Sequence, residues 1–139
     1  MQERGEVLVI DDVVAIVEEL VILLTLHGIG AHGASNLADA LSMLGHSPDI
    51  QVIACDVRLA GESGLEIVPR IRAHPELRDR PFRFLFMSGD PMQLQHFPPA
   101  TAHRVLTKPI HPGRLMRAIG EMLDEDVGQD LRKGITSGA

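Results

Sequence analysis

Tryptophan and tyrosine are missing from this chain altogether, and phenylalanine occurs only four times. The core therefore has to be built mainly from aliphatic side chains. A single cysteine, Cys55, leaves no internal disulfide to form, which fits a reducing compartment. Positive charge is in deficit, with a net charge of -6. Nucleic-acid surfaces need clustered Lys and Arg, and anionic membranes attract the same residues, so the balance argues against direct binding to either. Long apolar runs are lacking too. The most apolar one, Val13 to Leu26, is too short to span a bilayer and contains Glu18 and Glu19. The N-terminus shows no charged-then-apolar signal pattern. The expectation is a soluble cytoplasmic protein. What is present, 139 residues with a 45% hydrophobic content, suits one ordinary domain.

Short apolar runs alternate with amphipathic ones along the chain. Glu6 to Ile10 is a continuous apolar strand, the pattern of a strand covered on both faces. A helix follows from about Val13 to His27, with Ile16, Leu20, Leu23, Leu24 and His27 on one face, and Gly28 stops it. Ile29 to Ala34 is a weaker strand. Ser35 or Asn36 caps a second helix with Leu37, Ala40, Leu41 and Leu44 inward. The stretch Asp49 to Asp56 is the third strand, an apolar run ending on one carboxylate. Ser63 caps the next helix, with Leu65, Ile67, Val68 and Ile71 as its apolar positions. Phe82 to Met87 and Ala102 to Thr107 are the fourth and fifth strands. Between them Pro91 to Phe97 fits a short helix truncated by Pro98-Pro99. Pro112 opens a last helix carrying Leu115, Met116, Ile119, Met122 and Leu123. Residues 1–123 form the domain; residues 124–139 read as a flexible acidic tail or linker. Strands alternating with helices give an α/β fold, a doubly wound five-stranded parallel sheet with helices on both faces.

The polar residues fall where the strands stop. Asp11 and Asp12 follow the first strand, Asp56 ends the third, Ser88 ends the fourth, and Lys108 follows the fifth. Parallel strands point one way, so these groups converge on one edge of the sheet, the edge where open α/β sheets bind ligands. Three carboxylates in one site repel one another unless a cation is bound. A hard divalent ion such as Mg²⁺ (or Mn²⁺) meets that need, taking carboxylate and phosphate oxygens. An accessible Asp beside a metal, a lysine and a hydroxyl suits acceptance of a phosphoryl group as an aspartyl-phosphate. Alone, Asp11-Asp12 would read equally well as a helix N-cap, and the two roles are compatible.

Taken in order, Val9-Ile10-Asp11-Asp12, Ile53-Ala54-Cys55-Asp56, Gly61-Glu62-Ser63-Gly64-Leu65, Met87-Ser88-Gly89 and Thr107-Lys108-Pro109 resemble the receiver domain of two-component response regulators. The resemblance runs from about Glu6 to Leu123. It implies a flavodoxin-like strand order 2-1-3-4-5. It implies that Asp56 is the phospho-acceptor. Asp12 would then ligate Mg²⁺ directly, Asp11 directly or through water, and the main-chain carbonyl of Arg58 would add a ligand beside Asp56. Ser88 would bond a phosphate oxygen and Lys108 would pair with the phosphate. The Lys108–Pro109 bond is often cis in such proteins. The donor would be a histidine kinase or a His-containing phosphotransfer protein. Such a protein catalyses its own phosphorylation and dephosphorylation but is mainly a signalling switch.

Four departures from that pattern stand out. Ala60 replaces the usual proline four residues after the acceptor. Val105 replaces the usual aromatic three before the lysine. The segment from Ser88 to Lys108 is short and contains Pro98-Pro99. Arg58 and Asp90 stand two residues after the acceptor and two after the hydroxyl, positions that the resemblance implies border the phosphate and influence its lifetime, and an ion pair between them is expected over the site. The alternative function is a phosphorylation-independent binding or dimerisation module, favoured by Val105 and the weak fourth helix. An Asp-nucleophile hydrolase would want a second acid at position 58, where Arg58 stands. Gly28 to Gly33 matches G-x-G-x-x-G, but it follows a helix and enters a strand, the reverse of a dinucleotide fingerprint. The first helix is apolar nearly all round. Val14, Val17 and Val21 form a second stripe, and Ile22 and Leu26 lie on another side. That stripe is the expected partner surface, for a kinase or phosphotransfer helix or for a homodimer.

Overall fold

Strand β1 (Glu6–Ile10) lies at the heart of the molecule because four of its five residues are fully covered. The computed structural model describes residues 5–90, 92 and 103–135, those from 125 onward as backbone alone. Helix α1 (Val14–Leu26), strand β2 (Ala31–Ala34), helix α2 (Leu37–His46) and strand β3 (Ile50–Asp56) follow. Two short strands, β4 (Arg58–Leu59) and β5 (Glu62–Ser63), pair as an antiparallel ribbon after Asp56. A single 3₁₀ turn, Gly64–Glu66, leads into α3 (Ile67–Arg72). Strand β6 (Arg83–Ser88), strand β7 (His103–Thr107) and helix α4 (Pro112–Ile135) complete the chain.

The main sheet is parallel and runs β2-β1-β3-β6-β7. In terms of its five strands this is the order 2-1-3-4-5. Successive residues of a strand face opposite ways, and the two faces carry separate cores. Leu8, Ile10, Ile53, Cys55, Phe84 and Phe86 meet α2 and α3. Val7, Val9, Val52, Ala54, Leu85 and Met87 meet α1 and α4. Helices thus cover both faces. Asn36 caps α2, its side chain accepting from the Asp39 amide, and Ser63 accepts from the Leu65 amide. Gly28 ends α1 at φ 79, a conformation that costs glycine little.

Three sequence expectations are corrected here. The inward face of α1 is Val17, Leu20 and Leu24, whereas Ile16 and His27 are exposed. The cause sits on β2: a Cβ at Gly33 would lie 2.3 Å from Val17 Cγ1. The missing side chain lets α1 settle onto the strand at Val17, and that contact fixes its rotation. Val17, only 8% exposed, therefore leaves the expected partner stripe, while Val14 remains 56% exposed and Val21 half-buried. Asp11-Asp12 is not the cap of α1 either. The cap residue is Val13, which has no side-chain bond. Finally, α4 does not stop at Leu123 but runs to Ile135. Val127, Leu131 and Ile135 continue the four-residue spacing of Leu115, Ile119 and Leu123, a narrow stripe hidden among acids and glycines. The short helix expected over Pro91 to Phe97 and the Pro98-Pro99 break lie, Met92 apart, outside the described residues.

Candidate functional site

Each polar group at the site is placed by a strand that ends beneath it. β1 and β3 pair through Ile10 and Cys55, which sets Asp11 beside Asp56. β3 and β6 pair through Asp56 and Met87, and β6 and β7 through Ser88 and Thr107. Ser88 and Lys108 therefore follow on the same edge. The Lys108 amide donates to the Ser88 carbonyl at 2.8 Å, and the Lys108–Pro109 bond is cis.

Asp56 is only 4% exposed, yet it lines an open pocket of about 370 Å³ with Arg58, Gly89, Asp90 and Lys108. Both of its oxygens are engaged. Lys108 Nζ reaches Oδ2 at 2.7 Å, and the Arg58 amide donates to Oδ1 at 3.2 Å. Carboxylate oxygens of Asp11, Asp12 and Asp56 lie within 4.8 Å of one another. Asp11 is also 4% exposed, and its Oδ1 accepts from the Val13 amide at 2.9 Å. Burial raises its pKa above the ordinary carboxylate value, with Asp56 adding to the rise, while the Val13 amide and Lys108 pull the other way. This cluster of hard oxygen donors, with a charge to be compensated, fits a divalent ion of the Mg²⁺ class.

Gly64 allows the loop to close over Asp56. Its amide donates to the Val57 carbonyl at 2.7 Å, and a Cβ there would sit 2.0 Å from the Asp56 carbonyl oxygen. Cys55 lies beneath, its Sγ 3.3 Å from that same oxygen. Burial above all pushes its thiol pKa up, and nearby carboxylates add to the rise, so it is an inert neighbour rather than a nucleophile. Ser88 is buried, and its hydroxyl bonds both the amide and the carbonyl of Asp90. Arg58 and Asp90 line the same pocket, but the expected ion pair between them is not formed. Instead Asp90 Oδ1 accepts from the Met92 amide at 3.0 Å. Val105 packs against the core that holds Phe84 and Phe86.

Two contacts escaped the sequence reading. Glu62 Oε2 accepts from the Leu37 amide at 3.0 Å, tying the ribbon to α2. Arg80 donates to the carbonyls of Leu44, Ser47 and Ile50 at 2.6, 3.0 and 3.1 Å, with Phe82 beneath its guanidinium. Both contacts bridge residues far apart in sequence, and no motif marks them.

The family model for the response regulator receiver domain matches residues 7–120. No curated protein matches the chain. Among solved structures, the chemotaxis response regulator CheY4 of Vibrio cholerae is similar at 23% identity and TM-score 0.73, covering 86% of this chain and 99% of that one. A response regulator receiver protein from Pseudomonas putida is 26% identical with TM-score 0.72, covering 87% and 99%. A response regulator receiver domain protein from Clostridium thermocellum is 23% identical with TM-score 0.73, covering 88% and 96%.

Proposed function

This chain belongs to the response regulator receiver domain family, and from that premise we propose that Asp56 accepts a phosphoryl group from a phosphohistidine donor. The observation that carries this reading is the pairing of Asp56 with Lys108 at 2.7 Å inside a pocket that also gathers Asp11 and Asp12. An Asp56 oxygen forms the new O–P bond as the P–N bond to the donor imidazole breaks, and the imidazole leaves with the electron pair. Lys108, already at the carboxylate, offsets the charge of the transferring group. Asp11, Asp12, Asp56 and the main-chain carbonyl of Arg58 would hold Mg²⁺. The ion supplies positive charge to the phosphoryl oxygens. Ser88 turns its hydroxyl from Asp90 to a phosphate oxygen, and Arg58 and Asp90 at the pocket mouth set how readily water removes the phosphate.

The donor is a histidine kinase or a His-containing phosphotransfer protein in the cytoplasm, and it docks against α1. Of the Val14, Val17, Val21 stripe, Val14 is 56% exposed and Val21 half-buried. The same face is the candidate homodimer surface. Among the described residues, no helix is long and apolar enough to cross a membrane. Phosphorylation works as a switch only if a partner binds the two states unequally.

Incubation with Mg²⁺ and acetyl phosphate, followed by intact mass, tests the assignment. One phosphate adduct is expected in the native protein and none in Asp56→Asn. An adduct that survives in Asp56→Asn would overturn it. A second reading, a binding module that does not use phosphate, rests on Val105 standing where an aromatic relay residue is usual. Absence of any adduct would favour it.

A further inference from the structure

The first amides of a helix have no partner within the helix. At the start of α2, the Asp39 amide is met by the Asn36 side chain at 2.8 Å, and the Ala40 amide by the Asn36 carbonyl at 3.0 Å. The Leu37 amide is met from elsewhere, by Glu62 Oε2 at 3.0 Å. An acid at this end also interacts favourably with the helix dipole. The other carboxylate oxygen of Glu62 faces Arg70 of α3 at 3.7 Å, which leaves Oε2 to the amide.

Glu62 belongs to β5, and its strand partner across the ribbon is Leu59. Next to Leu59 is Arg58, paired with Ser63, and the Arg58 amide is bonded to Asp56 Oδ1 at 3.2 Å. The Gly64 to Val57 bond at 2.7 Å closes the base of the ribbon. A continuous bonded path thus runs from the Asp56 carboxylate through the ribbon to the first amide of α2. Asp39, Met43 and His46 of α2 line a groove of about 480 Å³ with Val14 and Val17 of α1.

We propose that Glu62 is a positioning residue that carries modification of Asp56 to the start of α2, and so to the groove between α1 and α2. The proposal rests on Asp56 being the acceptor. A phosphoryl group on an Asp56 oxygen removes or redirects the bond from the Arg58 amide. The ribbon moves as a paired unit, and Glu62 takes the Leu37 amide with it. Coupling of this kind is reciprocal, so a partner seated in the groove alters the occupancy of the site.

The test follows backbone amide resonances of the whole chain as Mg²⁺ and beryllofluoride are added. In the native protein the Arg58 and Leu37 amides both shift. In Glu62→Ala the Arg58 shift remains and the Leu37 shift is lost. Glu62→Gln, which keeps an accepting oxygen, restores part of it. Arg70→Ala behaves like the native protein. If Glu62→Ala does not fold, Glu62→Asp, one methylene too short to reach Leu37, replaces it with the same expectation. A Leu37 shift that persists undiminished without Glu62 overturns the proposal, as does a still Leu37 amide in the native protein while Arg58 moves. If neither amide moves in the native protein, the acceptor reading fails and the proposal falls with it.

Discussion

With no cation bound, ionised Asp11 is expected to cost stability at neutral pH. It is buried beside Asp56, and its pKa lies above the ordinary 3.8. The folded state therefore keeps a proton that the unfolded chain has already released. Its share of stability is intact below pH 3.8 and falls as pH rises through the folded pKa. Asp11→Asn keeps an oxygen for the Val13 amide but removes the charge. We expect that variant to melt higher than the native protein at neutral pH without metal, with no advantage in strong acid. Matched thermal melts across pH check this; an advantage that is independent of pH would point to another cause. At the pocket mouth, Arg58→Ala should change the half-life of the phosphorylated protein several-fold, because Arg58 flanks Asp56 and is not spent on Asp90. An unchanged half-life would remove Arg58 from the modulating role. Asp11 was legible in the sequence because it follows the end of an apolar run, whereas Arg58 and Asp90 were singled out only through the family resemblance. The orientation of Arg58 was not legible, since Asp90 finds a nearer partner in the Met92 amide.

The helices show where pattern reading stops short. Periodicity located α1, but it left the helix free to rotate among several apolar stripes. Gly33, on the following strand, settled the question by admitting Val17. This gives a paired prediction. Val17→Glu should unfold or strongly destabilise the protein, by about 3 kcal/mol or more, since it buries a charge. Val14→Glu should leave the melting temperature nearly unchanged and slow phosphotransfer from the cognate kinase. Equal transfer rates for Val14→Glu and the native protein would exclude this face of α1 from docking. The C-terminal end of α2 depends on a residue from the loop before β6. Arg80 binds the Leu44 and Ser47 carbonyls there, groups that a helix end leaves unsatisfied, and the Ile50 carbonyl at the start of β3. Arg80→Ala should cost about 2 kcal/mol in denaturant unfolding, and Arg80→Lys should recover only part of it, because the ammonium lacks the planar fork. Nothing local to Arg80 announces this. Its partners lie some thirty residues upstream (Leu44, Ser47, Ile50) and exist only once the chain has folded. The extension of α4 was hidden for the opposite reason: its signal, one apolar residue every fourth position, is local but narrow.

At the scale of the whole molecule, a net charge of -6 is concentrated in part at one sheet edge, where three carboxylates meet. A ligand that binds only the folded protein stabilises it by mass action. Mg²⁺ at about a hundred times its Kd should add about 2.7 kcal/mol, seen as a melting temperature that climbs with metal, and the gain should shrink in Asp11→Asn. A melting temperature flat in Mg²⁺ would count against the metal role of the three acids. The two cores also differ in make-up, with Met43 the one methionine packed against the α2/α3 core among the described residues. Phe82, Phe84 and Phe86 all lie in the core shared with α2 and α3, whereas Met87, Met116 and Met122 lie in the core shared with α1 and α4. The chain has neither tryptophan nor tyrosine to obscure them. Ring protons of those phenylalanines and methyl groups of those methionines are therefore built-in reporters of opposite sides. A single selectively labelled sample can tell which side of the sheet answers when Mg²⁺ and beryllofluoride are added.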